Sequence, residues 1–487
     1  MKILKDILYK VSVNTIYGTT DVSINNIVFD SRKVKENNLF VAQKGVEVDG
    51  HKYIENAISL GAKVIICEKV PSERYKKITY VQVEDSNIAL AIIASNFYDN
   101  PSQKLKLIGI TGTNGKTTIA TLLYNLFSKA GYNVGLLSTV KIMVGETEYV
   151  ATHTTPNSVS INHYLNEMVE NEVDYCFMEV SSHGIHQKRI DGLHFNGGIF
   201  TNLTHDHLDY HNSFAEYRDV KKYFFDSLPK TAFALVNVDD KNGSVMLQNT
   251  VAKKYSYGLK SMADYKAKIL ENQFSGLLLN INGVELWVKL IGSFNAYNLL
   301  AIYGAADLLG LDKMETMRIM SELESVSGRF QYFKSNGGIT AIVDYAHTPD
   351  ALKNVLETIN DIRTGNEKVI TVVGCGGDRD KSKRPKMGHI ASVLSTQAIF
   401  TSDNPRTENP QSIIEDIEAG VEPQYYRKTL SILDREQAIK TAGKLAEKGD
   451  IVLVAGKGHE TYQEINGVRT EFDDYQKVQT ILKEIQK

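Results

Sequence analysis

The segment at residues 105–130 reads LKLIGITGTNGKTTIATLLYNLFSKA. Residues 105–110 form a short apolar run that is typical of a buried strand, and a glycine-rich turn follows it. Over residues 117–130 apolar side chains recur at helical spacing, and Gly131 ends the helix. Residues 133–137 predict a second strand. The segment therefore predicts a β–α–β unit, which belongs to a parallel sheet with flanking helices.

The turn between this strand and helix has the composition of a phosphate-binding loop. Its glycines let backbone N–H groups turn toward phosphate oxygens, and the helix N-terminus adds a favourable partial charge. Lys116 is placed to pair with the β- and γ-phosphates, and the Thr117 hydroxyl is placed to reach Mg²⁺. We predict that ATP contacts the residues of this loop, which are Gly112, Thr113, Asn114, Gly115, Lys116, Thr117 and Thr118.

The loop departs from the strict phosphate-loop pattern, because Ile110 stands where that pattern has its first glycine. Taken alone, it also fits a turn that only closes a β–α–β unit, a GTPase or motor ATPase, or a regulatory nucleotide-binding module. The guanine-reading pattern Asn-Lys-x-Asp is absent from the sequence, which weakens the GTPase interpretation.

The chain has 487 residues, which suggests three domains at roughly 150 residues each. We predict an α/β protein with a small N-terminal α/β domain over 1–101, a central P-loop ATPase-like parallel-sheet domain over 102–333 and a C-terminal Rossmann-like α/β domain over 334–487. Asn-Gly at 282–283 predicts a hairpin within residues 274–288. In both larger domains the polar and glycine-rich motifs follow strand ends, where such sheets bind ligands.

Composition and charge exclude several classes of protein. The chain carries 58 acidic and 55 basic residues, and this net charge of −3 argues against a nucleic-acid partner bound by a global basic field. No apolar run is long enough for a membrane span, and residues 1–6 lack the core of a signal peptide. Cys67, Cys176 and Cys375 match neither a disulfide framework nor a zinc ribbon, so we expect buried thiols. We expect a cytoplasmic protein without membrane insertion.

Acidic and histidine side chains follow the next two predicted strands. Glu179 ends an apolar run, where an acid near a phosphate loop is placed to hold Mg²⁺ or its waters. Six histidines fall between residues 183 and 211, a density that is unusual for core packing alone. No cysteine lies near them, so the oxygen-rich surroundings favour Mg²⁺ over zinc.

A predicted amphipathic helix over residues 214–228 carries two adjacent lysines. Lys221 falls within the apolar stripe, four residues after Tyr217 and four before Phe225, whereas Lys222 falls on the face predicted to be solvated. A lysine on an apolar stripe usually extends its ammonium to water. A buried lysine can also lose its proton and become a nucleophile. The spacing singles out Lys221 and leaves both interpretations open.

Taken together, the motifs resemble those of the Mur ligase family, which builds the peptide of bacterial cell-wall precursors. The matching stretches, in chain order, are TGTNGKT (111–117), EVSSH (179–183), DHLDYH (206–211), GSFNAYN (292–298), SGR (327–329) and DYAHTP (344–349). Further stretches resemble the family members that add the third residue of the peptide: DSR (30–32), DGH (49–51), TTP (154–156), GCGGDRD (374–380), DNPR (403–406) and GKGHE (456–460). A single stretch is weak support, but the ordered set is highly specific.

The resemblance implies an ATP-dependent amide-bond ligase. ATP would phosphorylate the D-glutamate side-chain carboxylate of a UDP-N-acetylmuramoyl dipeptide, and an amine would attack the acyl phosphate. The resemblance implies that the catalytic residues are Lys116, Glu179, His207 and Lys221. It implies that the rest of ATP is held by Asn295, Asn298, Arg329 and Asp344. It implies that the muramoyl dipeptide is held by Ser31, Thr154, Thr155, Ser181, Gln187 and Arg189.

The resemblance also implies the identity of the amino acid and of the metal ligands. Meso-diaminopimelate is the expected amino acid, with L-lysine as the alternative, and its contacts would be Arg379, Asp403, Asn404, Pro405, Arg406, Gly456 and Glu460. Thr117 and Glu179 would hold one Mg²⁺, and a second would be held by His207 and by Lys221 as a carbamate formed with CO₂. A folylpolyglutamate-type ligase is a less favoured alternative, because the DSR region of the N-terminal domain argues against it. We expect a monomer.

Overall fold

The computed structural model describes residues 1–45, 48–204 and 210–485. Three large sheets follow one another along the chain, each built from its own stretch of sequence. This confirms the predicted α/β class, and we keep 1–101, 102–333 and 334–487 as proposed domain limits. Within the described ranges, no helix combines the length and apolar character that crossing a membrane requires.

The N-terminal part contains a five-stranded sheet in the order β2-β7-β6-β5-β4, and β1 pairs with β3 beside it. Its strands are β1 (Lys2–Ile3), β2 (Val13–Tyr17), β3 (Ser23–Ile24), β4 (Asn26–Val28), β5 (Asn38–Val41), β6 (Ala62–Cys67) and β7 (Thr79–Val83). Its helices are α1 (Leu4–Ile7), α2 (Ile54–Ser59) and α3 (Ser86–Phe97), with 3₁₀ turns at Ser31–Lys33, Gly50–Tyr53 and Pro101–Gln103. Asp85 caps α3 by accepting from the backbone N–H groups of Asn87 and Ile88.

The central part is one eleven-stranded sheet in the order β11-β10-β9-β12-β8-β13-β14-β15-β16-β17-β18. Its strands are β8 (Lys106–Thr111), β9 (Val134–Leu137), β10 (Lys141–Val144), β11 (Thr147–Val150), β12 (Tyr175–Glu179), β13 (Gly197–Phe200), β14 (Phe233–Asn237), β15 (Lys253–Gly258), β16 (Tyr265–Gln273), β17 (Gly276–Ile281) and β18 (Val284–Val288). Its helices are α4 (Lys116–Lys129), α5 (Ser158–Glu170), α6 (Ser182–His186), α7 (Phe214–Asp226), α8 (Gly243–Met246), α9 (Ser293–Leu308) and α10 (Lys313–Glu322).

The middle of this sheet is parallel, as predicted, but both edges are antiparallel. Strands β10 and β11 form a hairpin against β9, and β17 and β18 form another against β16. The second hairpin confirms the Asn-Gly prediction, since Ile281 pairs with Val284 across those two residues. The sequence patterns did not predict that the hairpins would extend the parallel sheet, because strand partners are set by tertiary packing.

The C-terminal part is a six-stranded sheet in the order β19-β20-β24-β21-β22-β23, parallel except for β19 at its edge. Its strands are β19 (Gln331–Lys334), β20 (Thr340–Asp344), β21 (Val369–Val373), β22 (Gln397–Phe400), β23 (Thr429–Ser431) and β24 (Ile451–Ala455), and a separate hairpin is formed by β25 (Tyr462–Ile465) and β26 (Val468–Glu471). Its helices are α11 (Pro349–Ile362), α12 (Lys383–Leu394), α13 (Pro410–Glu418), α14 (Arg435–Leu445) and α15 (Asp474–Glu484), with a 3₁₀ turn at Pro423–Lys428.

Apolar side chains fill both faces of each larger sheet. On the central sheet, a Cβ added at Gly109 would lie 2.5 Å from the ring of Phe224. Glycine at this position of β8 therefore lets α7 lie close to the strand that leads into the phosphate loop. All three cysteines are buried, as expected, and burial raises the pKa values of Cys67 and Cys375 to about 12.

Candidate active site

A cavity of about 1300 Å³ is shared between the central and C-terminal sheets. The central part contributes side chains near the ends of β8, β9 and β12, and the C-terminal part contributes loops that follow β20, β21, β22 and β24. Parallel sheets present the carboxyl ends of their strands at one edge, which is why both sets of loops meet here. Of the described residues predicted to form sites, the cavity lining includes Lys116, Thr154, Thr155, Ser181, Arg189, Lys221, Arg379, Asp403, Asn404, Arg406, Gly456 and Glu460.

The phosphate loop has the predicted strand–turn–helix context. Strand β8 ends at Thr111 and α4 begins at Lys116. Gly112 and Gly115 have φ angles of +145° and +91°, and a Cβ at Gly112 would lie 1.8 Å from the Thr201 hydroxyl. Only glycine fits there without strain. The Nζ of Lys116 donates to the carbonyl oxygens of Gly112 and Thr113, at 2.9 and 2.7 Å.

A buried hydroxyl–carboxylate pair lies beside this loop. The Thr117 hydroxyl donates to Glu179 Oε2 at 3.0 Å, and the other carboxylate oxygen accepts from the backbone N–H of Thr139 at 2.7 Å. Glu179 is fully buried at the end of β12, as predicted. Arg329, which lies just before β19 in the chain, reaches the same point, since its Nη2 lies 3.2 Å from Thr117 Oγ1. Hydroxyl and carboxylate oxygens are the donors that Mg²⁺ prefers.

Lys221 is buried on α7, and the prediction for its neighbour was wrong. Lys221 is 1% exposed and donates from Nζ to the carbonyl oxygen of Gly112 at 3.0 Å, so it lies against the phosphate loop. Lys222 was predicted to be solvated, but it is only 9% exposed and forms an ion pair with Asp226 at 2.6 Å. The exposed residues of α7 are instead Ala215, Asp219 and Tyr223, so Lys222 lies nearer to the buried side than the helical spacing predicted. His207 lies outside the described residues.

The remaining predicted ATP contacts lie around the same loop. Asn298 lies on α9 close to Gly115, because a Cβ at Gly115 would be 2.7 Å from its Oδ1, and its amide donates to Asn295. Asp344 accepts from the backbone N–H of Phe330 at 2.6 Å, which fixes the backbone next to Arg329. Loss of hydration raises the pKa of Asp344 to about 6, although the Arg329 guanidinium opposes that shift.

The predicted dipeptide contacts form one hydrogen-bonded group, except for Ser31. The Thr155 hydroxyl donates to the backbone oxygen of Glu179 and accepts from the N–H of Ser181. Arg189 donates to the Thr155 carbonyl at 2.6 Å and to the Gln187 side chain, and the Thr154 hydroxyl accepts from Thr139. Ser31 lies apart from them in the N-terminal part, where it accepts from Asn56 and is not among the described lining of the cavity.

The predicted amino-acid contacts come from three loops of the C-terminal sheet. Arg406 donates from Nη1 to the Gly377 carbonyl at 2.6 Å, and a Cβ at Gly377 would lie 1.9 Å from the Pro405 carbonyl oxygen, so these two loops are in close contact. Asn404 donates to Glu460 Oε2 at 2.7 Å. Burial and the neighbouring Asp403 raise the pKa of Glu460. Arg379 is exposed at the rim.

Three residues without a role predicted from the sequence, Asp350, Lys383 and Lys457, connect these groups. Asn114 of the phosphate loop donates to Asp350 at 3.4 Å, and Lys383 donates to the His347 carbonyl at 2.9 Å, so α11 and α12 line the cavity beside the loop. Lys457 is fully buried between Asp403, Asn404 and Glu460. The motifs that contain Lys457 and His347 were the available signal, but a motif does not reveal which side chain its lysine contacts.

The site defines a nucleotide-dependent enzyme of small molecules, because a phosphate loop and a second set of loops rich in arginine and carboxylate line the same cavity. Family models match the chain in order: "Mur ligase family, catalytic domain" over 23–98, "Mur ligase middle domain" over 110–306 and "Mur ligase, glutamate ligase domain" over 328–458. The chain belongs to the Mur ligase family of ATP-dependent amide-bond ligases.

Curated relatives and solved structures agree with this assignment. A protein of Cytophaga hutchinsonii is 55% identical over 97% of both chains, and one of Bacteroides fragilis is 53% identical over 99% of both. Both are named UDP-N-acetylmuramoyl-L-alanyl-D-glutamate–2,6-diaminopimelate ligase. A solved structure of the same name is 32% identical with a TM-score of 0.68, covering 95% of this chain and 96% of that one. The MurF ligase of Thermotoga maritima in complex with ADP, at 19% identity and TM-score 0.62 over 94% and 97%, shares the fold.

Proposed function

We propose that this protein joins meso-diaminopimelate to the D-glutamate side-chain carboxylate of UDP-N-acetylmuramoyl-L-alanyl-D-glutamate, with ATP, in the synthesis of peptidoglycan precursors. The observation that carries the proposal is that one and the same cavity is lined by Lys116 of the phosphate loop and by Arg406 and Glu460 of the C-terminal loops. The names of the curated relatives support the same substrates.

The first chemical step would bring two anions together, because a carboxylate oxygen of the dipeptide attacks the γ-phosphate of ATP. Lys116 supplies one cation at this point, and Arg329 supplies a second, 3.2 Å from Thr117. Cations that are fixed before the reaction stabilise the charge that develops on the phosphate oxygens. The products of this step are ADP and an acyl phosphate on the dipeptide.

The second step would join the amine to the activated carbonyl. The group formed by Thr154, Thr155, Ser181 and Arg189 would hold the dipeptide from the central side, and the C-terminal loops would hold the amino acid. The amine attacks the carbonyl carbon, a proton is lost from nitrogen, and inorganic phosphate leaves from the tetrahedral intermediate. Holding both reactants in one cavity converts a bimolecular step into an effectively intramolecular one.

Thr117 and Glu179 fit a bound Mg²⁺, because a hydroxyl and a carboxylate oxygen lie 3.0 Å apart beside the phosphate loop. When bound, Mg²⁺ would neutralise phosphate charge and orient the γ-phosphate for attack. Among the described residues no group of three or more His, Cys, Asp or Glu side chains is arranged to hold a metal ion. In the proposed site Thr117 and Glu179 supply protein oxygens, and the phosphates of the nucleotide would supply others.

We further propose that Lys221 is carbamylated and that its carbamate, with His207, holds a second Mg²⁺. The neutral Nζ would attack CO₂, forming a C–N bond and releasing a proton, so the side chain becomes an anionic oxygen ligand. Its burial against the phosphate loop supports this role. Incubation with isotope-labelled bicarbonate should give a carbamate carbon signal by NMR that Lys221→Ala removes and Lys222→Ala retains. A signal that survives in Lys221→Ala would contradict the proposal.

The overall reaction is tested by the dependence of ADP release on each substrate. Release should require both the UDP-muramoyl dipeptide and the amino acid. If ADP forms at the full rate without the dipeptide, the ligase proposal is wrong and a nucleotide-binding or switch role replaces it. Because one chain supplies every proposed contact and all substrates are small molecules, we also propose that the enzyme acts as a cytoplasmic monomer.

A further inference from the structure

Lys457 has the environment of an internal counter-ion. It is fully buried on the loop that follows β24, yet its Nζ meets three polar side chains. Nζ donates to Asn404 Oδ1 at 3.1 Å, lies 3.6 Å from Asp403 Oδ1 and lies 3.5 Å from Glu460 Oε2. A buried ammonium is costly unless it is paired, so three close partners are expected for a lysine that stays charged.

The partners of Lys457 face the cavity, but Lys457 does not. Asp403, Asn404 and Glu460 all belong to the cavity lining, and Lys457 is not part of the described lining. The lysine therefore lies one layer behind the side chains that would contact an amino acid. A residue in this place acts on a ligand through its neighbours.

We infer that Lys457 is a positioning residue for the amino-acid site, which holds the two carboxylates of Asp403 and Glu460 in place so that they bind the distal ammonium of the incoming amino acid. This inference rests on the proposed function, because it takes that amino acid to carry a distal ammonium and a distal carboxylate.

The physical reason is the repulsion between two acids in a poorly hydrated site. Burial and Asp403 both raise the pKa of Glu460, while Lys457 and the Asn404 amide lower it. Without the cation, the pair would take up a proton or move apart, and a protonated acid is a poor partner for an ammonium. With it, the ammonium between the two acids offsets their mutual repulsion and keeps them close together.

The same contacts fix the direction of each acid. The Asn404 amide and the Lys457 ammonium both approach Oε2 of Glu460. The other carboxylate oxygen, Oε1, is therefore the one that would face the ligand. Asp403 is held from the other side by close packing, since a Cβ at Gly456 would lie 2.6 Å from its Oδ2. Asn404 is fixed too, because its Oδ1 also accepts from the backbone N–H of Glu464 at 2.9 Å. The ammonium site is therefore organised before a ligand arrives.

The test compares Lys457→Met and Lys457→Gln, which remove the charge, with Lys457→Arg, which keeps it. The two neutral variants should raise the KM for meso-diaminopimelate by about tenfold or more, while the KM values for ATP and the dipeptide stay within about twofold. Lys457→Arg should restore most of the loss. The matched control is Lys428→Met, because within the described residues Lys428 donates to the carbonyls of Val393 and Ser395 and lies outside the cavity lining.

A double-mutant cycle with Glu460→Gln separates positioning from general damage. If Lys457 acts through Glu460, the KM of Lys457→Met/Glu460→Gln should lie within about threefold of the worse single variant, whereas independent effects would multiply. Multiplying effects, an equal rise in all three KM values, or failure of both neutral variants to fold while Lys457→Arg folds would each overturn the inference. The proposed function is tested separately by the wild-type enzyme, which must release ADP only with both substrates present.

Discussion

Replacement of Arg406 by methionine should weaken the use of meso-diaminopimelate and leave the use of lysine almost unchanged. The two amino acids differ by one distal carboxylate, which we propose that Arg406 binds. Methionine keeps an unbranched, flexible stem and removes the guanidinium, so the change tests the charge and the hydrogen bonds rather than the packing of the loop.

The size of the expected fall in kcat/KM follows from the hydrogen bonds that the Arg406 guanidinium can donate to a ligand. A guanidinium has five N–H groups, and among the described residues the only hydrogen bond of this side chain goes to the Gly377 carbonyl. Two parallel bonds to a carboxylate would contribute about 1.5–3 kcal/mol each if fully desolvated. Arg406 is only half-buried, so we take the lower end, about 3 kcal/mol in total, which corresponds to a roughly 100-fold fall in kcat/KM.

The assay is phosphate release with meso-diaminopimelate and with L-lysine, for the wild type, Arg406→Met and the control Arg469→Met. Arg469 lines the same cavity but is paired with Glu464 and stacks over the Tyr462 ring, so its removal should change neither substrate by more than about twofold. Wild-type enzyme that uses both amino acids equally well, or an equal fall for both in Arg406→Met, would refute the assignment of Arg406.

Three other predictions concern the phosphate loop and its surroundings. Lys116→Ala should abolish turnover and leave thermal unfolding nearly unchanged, because glycines set the turn; near-normal activity would make the loop purely structural. Lys221→Ala should lose activity, with partial rescue by short carboxylic acids, whereas Lys222→Ala should stay active and lose about 1 kcal/mol of stability with its ion pair to Asp226; the reverse order of activities would exclude Lys221 as the metal-binding lysine. Asp344 has a folded-state pKa raised from 3.8 to about 6, so the folded state binds the extra proton and this contribution to stability is present below pH 4 and lost as pH rises through about 6. The free energy of unfolding, measured with urea, should thus rise in Asp344→Asn relative to the wild type by about 1–2 kcal/mol more at pH 7 than at pH 5. A difference between the two proteins that does not change with pH would show that Asp344 does not titrate in this range.

Local sequence patterns predicted the elements of the site better than their surroundings. The strand–turn–helix context of the phosphate loop and the position of Glu179 at a strand end are local properties, and both were confirmed. Lys222 shows the limit of this reasoning. A helical wheel predicts one solvated side, but the exposed side of α7 carries Ala215, Asp219 and Tyr223, and Lys222 lies at its edge in an ion pair with Asp226.

The amino-acid sequence by itself determined the α/β class, the phosphate loop, the buried thiols and the family, because these depend on spacing within short segments and on the order of motifs. Only the tertiary structure brought Lys116 and Arg406 to one cavity and Arg329 to Thr117, and only it placed Lys457 behind the acids of the C-terminal loops. Residues that are hundreds of positions apart meet because the carboxyl ends of parallel strands in two sheets face a common space. That meeting depends on how the domains pack, which the periodicity of a single strand or helix does not encode.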